Sequence, residues 1–440
     1  MHILTLDDPA YAKKLAAFDR KPEPSPALRR QVESIIRDVV KNGDRALVRL
    51  TAKFGGPRLD PAQLFVTPAE IQTARLATPP EVMRAIRAAK KNVEAFARRG
   101  LRKSWFRKNA EGAVVGERFD AFDRVGIYVP GGTAPLVSTA VMTCSLARAA
   151  GVPAIVAATP AGPDGAVHPA VLAALAECGA TEVYRIGGAQ AVAALAHGTA
   201  TIRPVRKIFG PGNAYVVEAK RQVFGRVAVD LLPGPSEVLV IADKDANAAW
   251  VAADLLAQCE HGKGSIGILL TPSRKVLRAV ERELTRQLKL SSRPEFLRQA
   301  MQNTALIEVA SMDDAVRLAN DFSPEHTAIA TSSPGAIAGG LTTSGAIFLG
   351  PLSPVAAGDF LAGPSHELPT GGAGKSFAGL TADQFQRRTS ILMFDEKSLA
   401  KSRAPIATLA AVEGLDAHAR SIDVRLTPRK TTGSLSDLDS

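Results

Sequence analysis

Residues 125–132 of this 440-residue chain read VGIYVPGG, a short apolar run that is followed at once by a glycine turn. A run of this length that is rich in β-branched residues and ends at Pro and Gly is typical of a buried strand. The pattern returns in VYRIGG at 183–188 and in KIFGPGN at 207–213, and a helical run follows each turn. This alternation of strand, turn and helix predicts a doubly wound parallel sheet.

The glycine turns do not match the usual dinucleotide fingerprint, because no G-x-G-x-x-G follows the strand at 125–129. A single glycine turn after a strand needs no ligand to explain it, since the chain must turn there. Three such turns at the strand ends of one sheet, each of which opens a helix, make a cradle that suits phosphate.

The second half of the chain repeats the alternation. Strands are predicted at 238–241, 266–270, 305–309, 327–330 and 346–349, with helices at 246–260 and 313–320. Helical spacing also covers most of 26–97, with a stop at Asn42-Gly43, and a helical tail is predicted around 382–420. The segment 350–380 is long and rich in Gly and Pro, and loops of that length are usually functional.

Composition excludes several classes of protein. Hydrophobic residues make up 46% of the chain, which suffices for a large core, and no uncharged apolar run is long enough to span a membrane. The three cysteines, Cys144, Cys178 and Cys259, cannot all pair and form no CxxC. The N-terminus also lacks the basic and apolar regions of a signal peptide. We therefore expect a reduced, cytoplasmic protein.

The net charge of +11 permits attraction to nucleic acid. The densest basic run, 98–108, has Trp105 and Phe106 within it but shows no repeated interleaving of basic and aromatic residues. We interpret this run as a solvated helix end and loop, and we predict no nucleic-acid partner and no membrane partner. A nucleic-acid-binding protein is the rival outside the enzymes, and salt-sensitive retention on DNA would favour it.

The chain has few histidines, and three of the seven lie beside carboxylates or amides. Gln258 and His261 are three residues apart and would share one face of a helix. Together with Asp359 and His418 they offer the nitrogen and oxygen ligands that zinc accepts. The other four histidines lack any such constellation and are interpreted as surface or structural residues; they are His2, His168, His197 and His366.

Glu325 and His326 are candidate proton-transfer groups that stand side by side in the sequence. Adjacency alone is weak evidence, because neighbouring residues on an extended segment point to opposite faces. A metal site, a base and a second carboxylate nevertheless indicate an enzyme and not a scaffold.

Several segments, read together, resemble the histidinol dehydrogenase family over roughly residues 25–426. They are GIYVPGGTAPL at 126–136, IGGAQA at 186–191, IFGPGN at 208–213, GPSEV at 234–238, LLAQ at 255–258, SPEH at 323–326 and AGD at 357–359. The resemblance implies a zinc enzyme that uses NAD, works as a homodimer and oxidises histidinol twice, through an aldehyde, to histidine. Such an oxidoreductase belongs to histidine biosynthesis.

The resemblance also implies a role for each matching position. One zinc ion per subunit would be held by Gln258, His261, Asp359 and His418. The acid/base pair would be Glu325 and His326. Substrate contacts would be made by Ser236, Gln258, His261, His326, Asp359, Glu413 and His418. Dinucleotide contacts would be made by Tyr128, Gln190 and Asn213.

In the implied mechanism, His326 is the candidate base for the hydroxyl protons and Glu325 the candidate that activates the water needed by the aldehyde step. Zinc would anchor the amine and imidazole nitrogens of the substrate, and Glu413 could bind the amine. The rival within the family is a zinc and NAD dehydrogenase of another small polar alcohol, such as a sulfonated propanediol. Glu413 separates the two, since a carboxylate suits an ammonium group and would repel a sulfonate.

Pattern and resemblance together predict an α/β fold with two doubly wound, Rossmann-like parallel-sheet domains, a helical N-terminal segment and a helical C-terminal tail. An N-terminal arm is expected at 1–24. A first α/β domain, with the metal and catalytic residues, would comprise 25–124 and 236–380, and a second, dinucleotide-binding one 125–235. The tail at 381–426 would be exchanged between subunits, so that active sites are shared, and residues 427–440 would be disordered.

Overall fold

A computed structural model describes residues 1–16, 25–131, 134–262 and 264–427. The chain divides into two compact units, the first comprising Met1–Leu101 with Phe122–Phe385 and the second Arg102–Ala121 with Gln386–Ser440. Residues 17–24 of the predicted arm lie outside the described residues. So does the end predicted to be disordered, 427–440, apart from Thr427.

The strands and helices alternate along most of the chain, as predicted. The strands are β1 (His2–Leu4), β2 (Trp105–Lys108), β3 (Val114–Ala121), β4 (Arg124–Tyr128), β5 (Ala154–Ala158), β6 (Glu182–Tyr184), β7 (Lys207–Phe209), β8 (Ala228–Val229), β9 (Glu237–Ala242), β10 (Ile266–Thr271), β11 (Ala305–Glu308), β12 (His326–Ala330), β13 (Ala346–Leu349) and β14 (Gln386–Met393). The α-helices are α1 (Tyr11–Ala16), α2 (Pro26–Lys53), α3 (Pro68–Ala77), α4 (Pro80–Gly100), α5 (Val137–Ala149), α6 (Pro169–Glu177), α7 (Gly188–His197), α8 (Ala214–Val223), α9 (Ala248–Cys259), α10 (Arg274–Leu288), α11 (Pro294–Ala300), α12 (Met312–Phe322), α13 (Pro334–Ala338), α14 (Val355–Phe360), α15 (Glu396–Val412) and α16 (Asp416–Leu426). Short 3-10 helices occupy Pro61–Leu64, Met301–Asn303, Ala373–Lys375 and Ala382–Phe385.

The first unit contains a six-stranded parallel sheet in the order β1-β11-β10-β9-β12-β13. Successive residues of a strand face opposite sides, so Val238 and Val240 of β9 pack into the core that holds α9 and α10, whereas Leu239 and Ile241 pack into the core that holds α12. Each such buried side chain contributes about 1.5–3 kcal/mol. Burial on both faces explains the continuous apolar runs that made these strands predictable.

The second sheet of this unit is five-stranded and parallel, in the order β6-β5-β4-β7-β8. One core on this sheet joins strand residues such as Val156 and Ile208 to the Ala-rich α7 and to apolar residues of α2 and α8. The two parallel sheets confirm the predicted doubly wound α/β class.

The N-terminal helices pack differently from the predicted grouping. Residues 25–124 were expected to belong with 236–380, but α2 packs on α7 and α8, α3 packs on α6, and α4 packs on α5. Those four partner helices connect successive strands of the five-stranded sheet. The apolar stripe of α2, which includes Val32, Ile35 and Leu47, identifies a buried face of the helix but not the element that packs against it. Within α2, Gly43 breaks the helix with φ of 53°, at the predicted stop, and a second helical run continues to Lys53.

The second unit is built on a three-stranded antiparallel sheet in the order β14-β3-β2, together with α15 and α16. The predicted helical tail is present at 396–412 and 416–426. It is preceded by strand β14, in a stretch for which the sequence suggested helix. The pairing of Gln386–Met393 with Val114–Ala121 is set by residues about 270 positions away, and local periodicity cannot report such a partner.

Two further expectations concern the whole chain. Cys144, Cys178 and Cys259 are buried and free, as the absence of a pairing pattern suggested. Within the described ranges, no helix combines the length and the apolar character that a bilayer crossing requires.

Candidate active site

The predicted acid/base pair lies at the start of β12. Ser323, with φ of 52°, ends α12 in the left-handed conformation, and its hydroxyl donates to the carbonyl of Thr343 at 2.8 Å. Pro324 then directs the chain into the sheet. This turn leaves Glu325 just outside the strand and His326 as its first residue, both buried.

The two side chains of the pair do not point to opposite faces, which corrects the expectation for adjacent residues. Glu325 Oε2 lies 3.7 Å from His326 Nδ1. The alternation of an extended strand does not yet apply at Glu325, because β12 begins only at His326. Glu325 is therefore free to turn towards the same space as its neighbour.

Glu237 of β9 contacts both members of the pair through its backbone. His326 Nδ1 donates to the carbonyl of Glu237 at 3.0 Å, and the N–H of Glu237 donates to Glu325 Oε2 at 2.9 Å. The first bond fixes the tautomer, since a ring with its proton on Nδ1 carries its lone pair on Nε2. Nε2 is therefore the nitrogen of His326 that can accept a proton.

Asp359 of α14 stands between two histidines. Its Oδ1 lies 3.6 Å from Nε2 of His326, and its Oδ2 lies 3.9 Å from Nε2 of His261. The three residues come from β12, from α14 and from the turn after α9, so the fold brings together predicted site residues that are up to 98 positions apart in the sequence.

Gln258 lies in the last turn of α9, and His261 lies in the turn after it, because the helix ends at Cys259. The predicted sharing of one helical face is therefore replaced by a turn in which the N–H of His261 donates to the carbonyl of Gln258. The Gln258 side chain is 2% exposed, and neither its Oε1 nor its Nε2 has a hydrogen-bond partner among the described residues. A buried amide without partners is costly and points to a ligand at this position.

The electrostatics of the cluster suit proton transfer. Burial, followed by the charges of Asp359 and Glu367, raises the pKa of Glu325 well above its usual range. Burial lowers the pKa of His326 to about 4 against the pull of Asp359, so its ring is neutral at neutral pH. Partial burial also lowers the pKa of His261, which keeps that ring in the neutral form that binds metals.

Besides Glu237, two residues of the cluster, His366 and Glu367, had no role assigned from the sequence. His366, expected to be a surface or structural residue, is largely buried, and its Nδ1 donates to the carbonyl of Asp359 at 2.8 Å. Its Nε2 lies 3.5 Å from Oε1 of the buried Glu367. Burial opposes a charge on His366, but the bond and charge of Glu367 together with Asp359 outweigh it and raise the pKa of His366. The adjacent pair His366-Glu367 within the long 350–380 segment was the signal that could have revealed them.

The cluster lies at the amino edge of the six-stranded sheet. Glu237 begins β9 and His326 begins β12, and these parallel neighbours are paired from Val238 and His326 onwards. Gln258 stands at the end of α9, which leads into β10. In open α/β sheets, ligands usually bind beyond the carboxyl ends of the strands instead.

Two predicted site residues, Glu413 and His418, belong to the second compact unit. Glu413 caps α15, His418 lies in the first turn of α16, and both are exposed in this chain. Among the described residues, no group of three His, Cys, Asp or Glu side chains could hold a metal ion. The predicted ligand set differs from such a group, because one of its four members is an amide and another lies in the other unit.

A separate cavity of about 890 Å³ opens at the carboxyl edge of the five-stranded sheet. Tyr128, Gln190 and Asn213 all line it, so the three predicted dinucleotide residues come together. Tyr128 ends β4, and Gln190 and Asn213 follow β6 and β7; the glycine turns after these strands were expected to form a cradle. Gln190 is buried, and its Oε1 has no hydrogen-bond partner among the described residues. Asn213 Oδ1 caps α8 by accepting from the N–H groups of Tyr215 and Val216.

The turn at Gly210 is held by a fully buried ion pair that no local sequence pattern indicates. Lys220 Nζ contacts Asp230 and donates to the carbonyl of Gly210 at 2.9 Å, and the N–H of Gly210 donates to Asp230 Oδ2 at 2.8 Å. Gly210 has φ of 111°, and a Cβ there would lie 2.1 Å from the carbonyl oxygen of Tyr128. Only glycine fits this close approach.

Comparison with known proteins decides the family. A family model described as histidinol dehydrogenase matches residues 19–426. The chain belongs to the histidinol dehydrogenase family. It is 45% identical over 430 residues to the histidinol dehydrogenase of Rhodopseudomonas palustris, covering 97% of this chain and 100% of that one. It is 44% identical over 397 residues to that of Heliobacterium mobile, covering 90% and 93%.

The fold agrees with this assignment. The crystal structure of histidinol dehydrogenase from Elizabethkingia anophelis superposes on the chain with a TM-score of 0.90, at 33% sequence identity and over 97% of each chain. The resemblance inferred from the motifs is therefore confirmed at the level of the family and the fold.

Proposed function

We propose that the protein oxidises L-histidinol to L-histidine in two successive NAD-linked steps through histidinaldehyde, as an enzyme of histidine biosynthesis. Membership of the histidinol dehydrogenase family supports the substrate. The observation that carries the chemistry is the convergence of His326, Glu325 and Asp359 at one edge of the sheet, with Nε2 of a neutral His326 directed towards Asp359.

The donor set fits one zinc ion per subunit. Gln258 offers a buried amide with no partner, His261 offers a neutral imidazole, and Asp359 offers a carboxylate within 3.9 Å of that imidazole. His418 would supply the fourth ligand. Nitrogen and oxygen donors of these kinds are those that zinc accepts. Zinc, when bound, would anchor the amine and imidazole nitrogens of the substrate and fix the alcohol carbon in place.

His326 would act as the base in both oxidations. Its Nδ1 proton is held by the Glu237 carbonyl, so the lone pair on Nε2 is available to take the hydroxyl proton of the alcohol and, later, of the aldehyde hydrate. NAD, when bound, accepts the hydride that leaves the same carbon in each step. Each hydride transfer thus requires one proton acceptor, and Nε2 of His326 would be that acceptor.

Glu325 would activate the water that converts the aldehyde to its hydrate. A carboxylate whose pKa is raised by burial is a stronger base than an exposed one, which suits this role. Ser236 hydrogen bonds to Glu325 and opposes the rise in its pKa. Ser236 therefore both tunes Glu325 and stands where substrate contacts are proposed.

The remaining substrate contacts would come from residues already assigned to the metal and the base, with Glu413 added. They are Gln258, His261, His326, Asp359, Glu413 and His418. Glu413 would bind the ammonium group of histidinol, and its negative charge would disfavour a sulfonated propanediol.

NAD would bind in the cavity of the five-stranded sheet. Its lining holds the N-terminal ends of α7 and α8, where backbone N–H groups favour phosphate. Gln190 Oε1 and Asn213 Nδ2 would contact the dinucleotide, and Tyr128, whose hydroxyl accepts from the N–H of Gly188 at 3.0 Å, would pack against it.

The enzyme would work as a homodimer with shared active sites. Each unit exposes apolar side chains that a partner could cover. In the first unit Phe360 and Leu361 follow Asp359, and in the second Val412 and Leu409 precede Glu413. A carboxylate and a histidine on an exposed helical pair gain a function if that pair docks on a second subunit.

The test of shared active sites mixes a His261 variant with a His418 variant under conditions of subunit exchange. Shared sites predict that activity returns, and exchange without activity would contradict them.

The function is tested by mixing purified protein with zinc, NAD and L-histidinol and measuring NADH and product. The proposal predicts two NADH for each histidinol consumed, and histidine as the product. A sulfonated propanediol serves as the matched alternative substrate. Turnover of that alcohol and none of histidinol would overturn the substrate assignment, while one NADH per histidinol would overturn the two-step course.

A further inference from the structure

Glu237 stands at the centre of the contacts that hold the acid/base pair. It begins β9 at the amino edge of the six-stranded sheet and is 1% exposed. Beyond its two backbone bonds to Glu325 and His326, its side chain reaches two further N–H groups. Oε2 accepts from the N–H of Glu325 at 3.3 Å, and Oε1 accepts from the N–H of Gly371 at 3.0 Å.

We infer that Glu237 is a positioning residue, which fixes Glu325, His326 and the turn at Gly371 in the 350–380 segment relative to one another. The inference rests on the function proposed above. Glu237 does not touch the reacting atoms in this arrangement, and it acts through the groups that do.

A buried carboxylate at the start of β9 has to be explained by the contacts that it makes. Burying one is costly unless hydrogen bonds compensate for the lost water. Other strands of the same sheet begin with apolar residues, namely Ile266 in β10 and Ala346 in β13. Starting a strand therefore does not require a carboxylate, whereas bridging two backbone N–H groups from different segments requires an acceptor with two oxygens.

The contact with Gly371 extends the effect to the 350–380 segment. Gly371 has φ of 65° and lies four residues after Glu367 in this segment. The residue before it, Thr370, accepts at its Oγ1 from the N–H of Gly234. Two adjacent residues of the loop, Thr370 and Gly371, thus bond to the segment 234–237. Glu237, at the end of that segment, also bonds to the acid/base pair.

Glu237→Gln tests the inference because an amide has only one acceptor oxygen. One of the two N–H groups, of Glu325 or of Gly371, would then face an NH₂ group and shift away. A shift of about 1 Å in a catalytic group can cost about 100-fold in rate. We expect kcat with histidinol to fall by about 10-fold to 100-fold, while the metal content and the KM for NAD stay unchanged.

Glu308→Gln is the matched control. Glu308 is also a buried glutamate of the same sheet, but it ends β11 and pairs with Arg274. Both variants should lose thermal stability, and only Glu237→Gln should lose kcat. Equal kcat in the two variants, with an active wild type, would overturn the positioning role alone. A wild type that forms no NADH from histidinol would overturn the proposed function and this inference with it.

A double-mutant cycle separates positioning from a general loss of structure. The aldehyde step is measured for Glu237→Gln in the wild-type and Glu325→Gln backgrounds. If Glu237 acts through Glu325, Glu237→Gln should slow the aldehyde step only a few-fold in the Glu325→Gln background, because the carboxylate that it would misplace is already absent. The same fold-loss in both backgrounds would overturn the inference.

Should Glu237→Gln fail to fold, Glu237→Asp keeps a carboxylate on a side chain one methylene shorter. It should lower kcat at unchanged metal content, and a wild-type kcat would contradict the inference.

Discussion

The two parallel sheets of the first unit present their polar residues at opposite edges. In the five-stranded sheet the cavity lined by Tyr128, Gln190 and Asn213 lies beyond the carboxyl ends of the strands. In the six-stranded sheet, Glu237 and His326 open their strands at the amino edge. The same architecture therefore carries a conventional ligand cavity in one sheet and an unconventional polar cluster in the other.

The difference follows from what each edge offers. At a carboxyl edge, glycine turns lead into helix N-termini whose N–H groups suit phosphate, and no charged side chain is needed. At the amino edge, the carboxyl end of α9 and the long 350–380 segment bring carboxylates and imidazoles together. Those side chains suit a cation and proton transfer. We expect the two edges to fail independently when their residues are altered.

The largest effect is expected from removing a metal ligand at the amino edge. His261→Ala should empty the metal site and lower turnover by about 10³-fold or more, since a bound metal supplies several kcal/mol. Metal content is measured by elemental analysis and turnover by NADH formation. His197→Ala, which alters a histidine on α7, is the control and should keep both. Full metal content and full activity in His261→Ala would refute the ligand assignment.

The next effect concerns the acid/base pair at the same edge. His326→Asn should slow both oxidations by about 10²–10⁴-fold, because each needs a proton acceptor. Glu325→Gln should slow the aldehyde step more than the alcohol step, because only the former needs an activated water. Single-turnover rates with histidinol and with histidinaldehyde measure the two steps separately. Equal losses in both steps for Glu325→Gln would remove its role in activating water.

The smallest effect is expected at the carboxyl edge of the five-stranded sheet. Gln190→Leu removes a buried amide whose Oε1 has no partner, so one hydrogen bond to the dinucleotide is lost. A loss of about 1 kcal/mol corresponds to about 5-fold in the KM for NAD, with kcat at saturating NAD unchanged. Gln287→Leu, on α10, is the control, because its amide bonds to Ala249 and Glu283 instead. An unchanged KM in Gln190→Leu would exclude this contact.

The sequence predicted the five-stranded sheet and its cavity well, because strand, glycine turn and helix are all local signals. Residue type and spacing marked the histidines and carboxylates at the amino edge as candidates, and the family resemblance supplied the individual roles. Spacing alone pointed to a shared helical face for Gln258 and His261, whereas the helix ends before His261. The positions of Glu237 and His366 depend on contacts between β9, β12 and the 350–380 segment, which no short-range pattern reports. The antiparallel strand β14 escaped prediction for the same reason.

The division of labour between the two edges is tested most directly by measuring metal content and NAD affinity on the same two variants. Metal is quantified by elemental analysis, and NAD binding by calorimetric titration, for His261→Ala and Gln190→Leu beside the wild type. The account predicts that His261→Ala loses its metal and keeps its NAD affinity, while Gln190→Leu keeps its metal and binds NAD more weakly. Loss of both properties in either variant, with the fold intact by circular dichroism, would contradict it.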